Sequence, residues 1–243
     1  MNPVVIITGA SRGLGLCLAE RFVKAGGVVF GTSLTRKSWE SARKRISDRK
    51  KFRLFLLDIT REAGVKRFIS KIRRICGRID VLINCAGYVG RLAPIEDESL
   101  REFEKNIAVN LTGPFLMCKY ALPVFRARKK GWMINISSMA GKRAVPRLGA
   151  YSAGKFGLVA LTQAIAKENP GGQFKCITVC PGGMNTEMRV NLFGRKDAER
   201  QQTPEFVAEK IMEIIYGRIE MESGWDIVIR HGKVTAINPL PGA

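Results

Sequence analysis

Apolar runs of four to six residues alternate along the chain with longer segments whose apolar positions recur every three to four residues. The short runs are typical of buried β-strands and lie at 4–8, 28–32, 52–57, 81–84, 132–137, 175–180 and 225–229. The periodic segments are typical of amphipathic helices and lie at 14–25, 37–48, 61–76, 99–127, 152–168 and 204–217. The pattern therefore predicts strands and helices in regular alternation.

This alternation predicts an α/β fold, because strands joined by helices pair in parallel. Right-handed crossovers then give a doubly wound, Rossmann-type parallel sheet of about seven strands with helices on both faces. At 243 residues and 46% hydrophobic, the chain can bury one full core, so we expect a single domain over 1–243. The segment at about 183–203 shows no clear periodicity and is expected to be a loop that caps a pocket.

Composition narrows the chemistry that the chain can perform. The six cysteines form no CxxC pair and are interpreted as reduced thiols of a cytoplasmic protein. No basic leader precedes the apolar run at Pro3, and no run approaches the roughly 20 residues of a membrane span. The single histidine, His231, excludes a multi-histidine metal site, so no metal is expected. Proton transfer must then use Tyr, Lys, Asp, Glu or Cys.

The charge of the chain is strongly positive and uneven. Of the formal net charge of +20, residues 36–78 contribute +12, from sixteen Lys or Arg against four Asp or Glu. Such a basic segment can attract nucleic acid, an anionic membrane or an acidic protein. Trp39 and Phe52 are the only nearby candidates for stacking on bases, so we favour two solvated helices and do not expect a nucleic-acid partner.

A glycine-rich turn follows the first predicted strand. The stretch TGASRGLG at 8–15 places Gly9, Gly13 and Gly15 between a strand and a helix, in a G-x-x-x-G-x-G pattern. Glycines allow close approach to a phosphate, and a helix N-terminus offers free N–H groups with the positive end of its dipole. The turn therefore predicts a nucleotide site, although its spacing differs from the common G-x-G-x-x-G fingerprint.

The end of the second predicted strand indicates which nucleotide binds. The stretch FGTSLTRK has no acid before Glu40, whereas an NAD site usually places an Asp or Glu there for the ribose. Thr32 and Ser33 can donate hydrogen bonds, and Arg12 and Arg36 can pair with a 2′-phosphate. NADP(H) is therefore predicted in preference to NAD(H). The alternative is that both arginines belong to the general basic excess.

The stretch YSAGK at 151–155 carries the candidate catalytic chemistry. On a helix, Tyr151 and Lys155 share one face, and an ammonium beside a phenol lowers the tyrosine pKa from its usual value of about 10. Tyr151 could then exchange a proton near neutral pH, unless it is an ordinary surface tyrosine. Ser138 lies thirteen residues before Tyr151, at the end of INISS, and Asn110 lies in the helical stretch NIAVNLTGPF.

With these motifs and NCAG at 84–87, the chain from Val4 to about Val234 resembles the short-chain dehydrogenase/reductase family in its compact single-domain form. Within the family, it is most similar to 3-oxoacyl-thioester reductases. The resemblance implies an NADP(H)-dependent enzyme that interconverts a ketone and a secondary alcohol by hydride transfer.

The resemblance also implies roles for the candidate catalytic residues. Tyr151 would protonate the carbonyl oxygen, while Lys155 would lower its pKa and hold the nicotinamide ribose. Ser138 would position the substrate oxygen, and its spacing favours it over the competing Ser137. Asn110 would hold a water that links Lys155 to solvent.

The cofactor contacts implied by the resemblance extend along the whole chain. Asp58 would accept from the adenine amino group, and Met184 and Thr186 would contact the carboxamide. The full set is Gly9, Ser11, Arg12, Gly13, Leu14, Gly15, Thr32, Ser33, Arg36, Asp58, Ile59, Asn84, Ala86, Gly87, Tyr151, Lys155, Pro181, Gly182, Met184 and Thr186. Gly183 stands where the family often has a bulky residue, which predicts a roomier nicotinamide pocket.

The substrate is expected to be a small carbonyl or alcohol, and its class stays open. Lys142, Arg143 and Arg147 lie near the expected pocket mouth, where they would meet a pantetheine phosphate or an acidic carrier, or remain solvated. A diketone, quinone, sugar or polyol is the alternative, as is a non-catalytic NADP-binding protein that uses its basic segment for nucleic acid. The family resemblance also suggests a homodimer or homotetramer formed through helices near 101–127 and 152–168.

Overall fold

The computed structural model describes residues 2–46, 48–171 and 174–242 and contains one eight-stranded sheet flanked by helices. The strands are β1 (Val4–Ile7), β2 (Val28–Ser33), β3 (Phe52–Leu56), β4 (Val81–Asn84), β5 (Gly131–Ile136), β6 (Phe174–Pro181), β7 (Asp226–Arg230) and β8 (Lys233–Asn238). The helices are α1 (Gly13–Lys24), α2 (Arg36–Arg45), α3 (Glu62–Cys76), α4 (Leu100–Ile107), α5 (Gly113–Arg128), α6 (Gly149–Lys167), α7 (Glu187–Phe193), α8 (Arg195–Glu199) and α9 (Pro204–Ile215).

The strand order is β3-β2-β1-β4-β5-β6-β7-β8, and every neighbouring pair is parallel except the antiparallel β7 and β8. The predicted doubly wound α/β fold is confirmed, and all seven predicted strands are present. The eighth strand was not predicted. Its residues alternate between exposed and half-buried, so β8 lacks the apolar run that marks a strand covered on both faces.

The central strands are covered on both faces by separate helix layers. Along β1, Val5 and Ile7 join the core cluster that includes α1 and α9, whereas Val4 and Ile6 join the cluster that includes α3 and α5. Successive strand residues point to opposite faces, so a strand buried on both must be apolar throughout. This explains the continuous apolar sequence of β1.

The predicted helix at 99–127 is interrupted by a π-helical turn, Ala108–Thr112, between α4 and α5. Contrary to the expectation that no segment resembles a membrane span, Leu100–Arg128 is long and apolar enough by length and composition, with a mean hydropathy of 1.2. In the structure, 44% of its most apolar window is buried, and Met117, Ala121 and Phe125 lie in the core. The stretch is therefore packed as a core helix of the α/β fold.

The segment 183–203, expected to be a loop, contains α7 and α8. The Thr186 hydroxyl caps α7 by accepting from the Arg189 N–H at 3.4 Å. Arg189 also donates to Asp197 on α8, and this hydrogen bond holds the pKa of the Asp197 carboxyl below its usual value. The two helices have seven and five residues, too few for a hydrophobic period to be visible in the sequence.

Candidate active site

A cleft of about 370 Å³ opens at the carboxyl ends of the strands, where the strand order reverses between β1 and β4. Ligands of open α/β sheets bind at such a reversal point. Most of the predicted cofactor residues line this cleft: Gly9, Ser11, Arg12, Gly13, Leu14, Gly15, Thr32, Ser33, Asp58, Ile59, Ala86, Gly87, Tyr151, Lys155, Met184 and Thr186.

The glycine turn packs so tightly that no side chain fits at Gly9 or Gly15. Gly9 has a φ of 68°, and a Cβ there would lie 2.9 Å from the Ala86 Cα. The Thr8 hydroxyl accepts from the N–H groups of Cys85 and Ala86 at 3.0 Å each, which ties the turn to the NCAG loop. The α1 helix begins at Gly13 without a side-chain cap or an acid in its first turn. Its first N–H groups therefore suit a dinucleotide diphosphate.

Hydroxyl groups collect where β2 meets α2. Ser33 Oγ lies 2.8 Å from Ser38 Oγ, which in turn lies 2.7 Å from the Thr35 hydroxyl. Thr35 caps α2 by accepting from the Ser38 N–H at 3.3 Å, and Thr32 Oγ1 accepts from the Gly9 N–H at 3.2 Å. Thr35 and Ser38 line the cleft, although sequence reasoning did not include them. The T-x-x-S spacing of a helix cap was the available signal.

The two predicted phosphate-binding arginines differ in position. Arg36 is outside the cleft lining: its side chain is 80% exposed, and its Nε lies 3.4 Å from Glu40. Arg12 lines the cleft, with its Nη1 2.8 Å from Glu187 on α7 and with both side chains 63% exposed. Exposed pairs contribute roughly 0–1 kcal/mol, so Arg12 can exchange Glu187 for a ligand phosphate at little cost.

Asn84 was predicted as a cofactor contact, but its side chain lies inside the sheet layer. It is 1% exposed, and its Nδ2 donates to Asn135 Oδ1 at 2.8 Å and contacts Cys118 Sγ at 3.3 Å. The Asn135 amide then donates to Thr162 on α6 at 2.8 Å. Asn84 therefore links β4, β5 and α6 beneath the cleft.

Asp58 and Ile59 follow β3 and reach the cleft as expected. Asp58 Oδ1 accepts from the N–H and the hydroxyl of Thr60, at 2.9 and 2.7 Å. Arg61 lies 3.7 Å from the other oxygen. These contacts fix the carboxylate at the rim of the cleft.

Tyr151 and Lys155 lie on one face of α6, with Lys155 Nζ 5.7 Å from the centroid of the Tyr151 ring. Lys155 is 4% exposed and donates to the Ile136 carbonyl at 2.8 Å. The Ser138 hydroxyl lies close enough to the Tyr151 phenol to act on its pKa. The Ser137 hydroxyl instead donates to the Lys155 carbonyl at 2.9 Å, which directs it away from the phenol. The structure therefore brings Ser138, Tyr151 and Lys155 together.

Burial controls the pKa values of this group. It lowers the pKa of Lys155 to about 8, while the Cys85 and Cys180 thiols oppose the shift. It also raises the pKa of Tyr151, against the effect of the nearby Ser138 hydroxyl, which favours the phenolate. The predicted lowering of the Tyr151 pKa by Lys155 is therefore not found in the chain itself. For Tyr151, the loss of solvation on burial outweighs any stabilisation of the phenolate by Lys155, because the lowered pKa of Lys155 also weakens its hold on a proton.

The π-helical turn places Asn110 beside this group. Its Nδ2 donates to the Tyr88 carbonyl at 2.6 Å, and its Oδ1 accepts from the Tyr88 N–H at 3.2 Å. A Cβ on Gly87 would lie 3.4 Å from Asn110 Oδ1 and 3.8 Å from Lys155 Nζ. Gly154, inside YSAGK, allows α6 to approach the Asn110 Cβ. Asn110 and Lys155 thus both lie close to Gly87, where a larger side chain would contact them.

Three residues at the end of β6 and directly after it differ from the expectations. Pro181 and Gly182 do not line the cleft; Pro181 ends β6, and the Gly182 N–H donates to the Ile229 carbonyl at 2.8 Å. The space beside Gly183, expected to enlarge the pocket, is filled by the Gln201 side chain. Met184 and Thr186 alone of this stretch's predicted contacts line the cleft.

Lys142 does not point to the pocket mouth. Its Nζ lies 2.7 Å from Asp226, whose other oxygen accepts from the Asn238 amide at 2.7 Å. Asp226 is 3% exposed, so this buried ion pair ties the loop after Ser138 to the β7–β8 hairpin. Arg143 and Arg147 are exposed.

Other cleft residues were missed, and most of them, such as Tyr88 and Lys105, belong to no motif. Lys105 Nζ lies 4.0 Å from the centroid of the Tyr88 ring, and the Tyr88 hydroxyl donates to Glu102 at 2.6 Å. The unpredicted lining residues are Leu34, Thr35, Ser38, Leu57, Cys85, Tyr88, Lys105, Val109, Ile136, Ser137, Glu187 and Met188. Within the described ranges, no group of three or more His, Cys, Asp or Glu is arranged to hold a metal.

Comparisons with known proteins agree with this geometry. Residues 3–197 match the family model described as short chain dehydrogenase. A D-threitol dehydrogenase from Mycolicibacterium smegmatis is 32% identical over 188 residues, which are 77% of this chain and 72% of the relative.

Solved structures are similar over nearly the whole chain. ElxO with NADP bound has a TM-score of 0.85 and 26% identity, covering 94% of this chain and 97% of the other. A 3-ketoacyl-(acyl-carrier-protein) reductase from Brucella melitensis complexed with NADH has a TM-score of 0.85 and 25% identity, covering 93% and 96%. These relatives, together with the glycine turn at the strand reversal, support a nicotinamide cofactor site. The chain belongs to the short-chain dehydrogenase/reductase family.

Proposed function

We propose that this oxidoreductase interconverts a ketone and a secondary alcohol with NADP(H). The observation that carries the proposal is that Tyr151 and Lys155 line one cleft together with the glycine turn, and that Ser138 lies beside the Tyr151 phenol. Bound NADPH supplies the hydride. The chain's own residues then need only hold the carbonyl and deliver one proton.

Each residue of the group has a distinct task in this proposal. The raised pKa of Tyr151 keeps its phenol protonated at neutral pH, so it can donate to the carbonyl oxygen as the alkoxide develops. Ser138 hydrogen-bonds the same oxygen and fixes its position. Lys155, whose pKa is about 8, exchanges protons near neutral pH, and Asn110 orders a water beside it.

The preference for NADP(H) rests on the end of β2. The hydroxyls of Ser33, Thr35 and Ser38 form a donor-rich group at the start of α2. This stretch carries no Asp or Glu before Glu40, and Arg12 also lines the cleft. The oxygens of a 2′-phosphate would accept hydrogen bonds from these donors. One structural neighbour binds NADP and another NADH, so the preference of this chain for NADP(H) is inferred from these residues and not from its neighbours.

Ser33→Asp is expected to reverse the cofactor preference. A carboxylate at the end of β2 would repel a 2′-phosphate but accept from a ribose hydroxyl, so the Kd for NADPH should rise about 100-fold and that for NADH should change little. Fluorescence titration with both nucleotides measures this. Ser33→Asn is the matched control, since it adds similar volume without charge. Equal weakening of both nucleotides by Ser33→Asp would contradict the assignment.

We propose a short 3-oxoacyl thioester as the first substrate to test. Arg143 and Arg147 are exposed in the loop between Ser138 and α6, where they would be free to meet a pantetheine phosphate, and one structural neighbour is a 3-ketoacyl-(acyl-carrier-protein) reductase. The resemblance to D-threitol dehydrogenase supports a polyol as the second candidate. NADPH oxidation with the thioester, and NADP reduction with threitol, would separate the two. Tight NADPH binding without turnover of either would reject both substrates but keep the cofactor site.

A homo-oligomer formed through α4, α5 and α6 is also proposed. Phe103, Phe115 and Phe156 on these helices are 37%, 43% and 44% exposed. Large aromatic side chains on one set of neighbouring helices are typical of subunit interfaces. We further propose a cytoplasmic location, where the six free cysteines would stay reduced. A monomeric mass by light scattering would contradict the oligomer.

A further inference from the structure

The basic segment 36–78 forms one edge of the sheet and the helices on either side of it. It consists of α2, β3 and α3, and β3 is the terminal strand. Ala42 of α2 packs into the core on one face, while Phe68 and Ile72 of α3 pack into the core on the other. The cations of these elements therefore flank the edge strand from both sides.

Among the described residues, most of these cations form no ion pair with a carboxylate. Of the sixteen, five lie within 4.0 Å of a carboxylate: Arg36, Arg45, Lys51, Arg61 and Arg78. In the described part of the chain, the other eleven have no carboxylate within that distance. Ten of those eleven are exposed: Lys37, Lys44, Arg49, Lys50, Arg53, Lys66, Arg67, Lys71, Arg73 and Arg74. The edge therefore carries a positive field that the protein itself does not balance.

The local structure argues against two kinds of partner. A peptide added as a further strand would need the outer edge of β3, but Trp39 Nε1 donates to the Leu54 carbonyl at 2.7 Å and the Phe52 N–H donates to the Asp48 carbonyl at 2.8 Å. Membrane insertion would need the apolar side of α3, but that side is buried in the core. What remains available is an exposed cationic surface.

We propose that this surface binds the phosphate backbone of a polynucleotide without reading its sequence. The outward cations Lys66, Arg67, Arg73 and Arg74 extend over roughly 12 Å of α3, at a rise of 1.5 Å per residue. Duplex DNA carries one charge per roughly 1.7 Å of its axis, so several phosphates fall within reach. The sequence alone favoured solvated helices, whereas the structure adds the convergence of the cations on one edge. These four residues lie outside the cleft, so the proposal is independent of the enzymatic one.

Fluorescence anisotropy with a labelled 20-base-pair duplex of random sequence, titrated at several salt concentrations, tests the proposal. The full chain is compared with the α3 variant Lys66→Gln, Arg67→Gln, Arg73→Gln and Arg74→Gln. A variant with Lys130→Gln, Lys167→Gln, Arg218→Gln and Lys233→Gln is the matched control, because all four side chains are exposed and lie outside the basic segment. We expect the α3 variant to bind about tenfold or more weakly at 0.1 M salt, with a salt slope reduced by up to about 3.6.

Three results would overturn the proposal. One is equal loss of affinity in the control variant, which would indicate an effect of net charge alone. Another is binding of the wild-type chain to phosphatidylserine vesicles but not to the duplex. The third is displacement of the duplex by poly-glutamate as readily as by unlabelled DNA. Unchanged thermal unfolding and NADPH binding in both variants show that each one folds.

Discussion

Tyr151→Phe is expected to lower kcat for ketone reduction by about 10³-fold, while the Kd for NADPH changes less than twofold. The substitution removes the hydroxyl that carries the transferred proton in this proposal and leaves the aromatic ring in its place on α6. Steady-state assays and nucleotide titration on the same preparation would measure both quantities.

Tyr120→Phe is the matched control, because Tyr120 on α5 lies outside the cleft and its hydroxyl donates to Glu62 at 2.8 Å. Its kcat should stay within twofold of the wild type. Since burial raises the pKa of Tyr151, the wild-type oxidation rate should increase as the pH rises, whereas reduction should be favoured at neutral pH. A Tyr151→Phe variant that keeps a tenth of the wild-type activity would rule out the phenol as the proton donor.

Lys155→Met is expected to abolish turnover and yet to stabilise the fold at pH 7. Burial lowers the pKa of Lys155 from 10.5 to about 8. At pH 7 the lysine is charged in both states, so folding moves its charge into a buried site that disfavours it and thereby lowers the stability of the wild type. At 1.36 kcal/mol per pKa unit, the penalty is about 3 kcal/mol, and the lost hydrogen bond to Ile136 offsets about 1 kcal/mol. The free energy of unfolding should therefore rise by roughly 2 kcal/mol.

The pH dependence of this difference has a definite sign. Below pH 8 the lysine is protonated in both states, and the advantage of the variant is fully present. Between pH 8 and 10.5 only the unfolded lysine holds its proton, so wild-type stability gains on the variant as the pH rises. Above 10.5 the penalty is gone. Urea unfolding at pH 7 and pH 10 would measure the change, with the exposed Lys167→Met as the control that should show none. A variant less stable than the wild type at pH 7 would contradict the argument.

The sequence by itself determined the architecture and the chemical type of the site. Apolar runs such as β1 must be strands covered on both faces, and their alternation with helical periods leaves few topologies besides a doubly wound sheet. The glycine turn and YSAGK are local motifs, in which the spacing of neighbouring residues already fixes the geometry. For this reason Tyr151, Lys155 and the glycines were found without a structure.

The tertiary structure decided everything that depends on contacts between distant segments. Nothing near Asn84 in the chain shows that its amide meets Asn135, nor does anything near Lys142 show that it pairs with Asp226. The α2 helix begins at Arg36, where Thr35 caps it. In this helix Thr35 and Ser38 line the cleft, whereas the Arg36 side chain faces solvent.

The pKa of Tyr151 is a second property that the sequence could not decide. The spacing of four residues shows that Lys155 lies close to the phenol, but it does not show how deeply the two groups are buried. In the folded chain, burial raises one pKa and lowers the other. Local spacing determined which residues share the site, and solvent exclusion by the whole fold determined how they titrate.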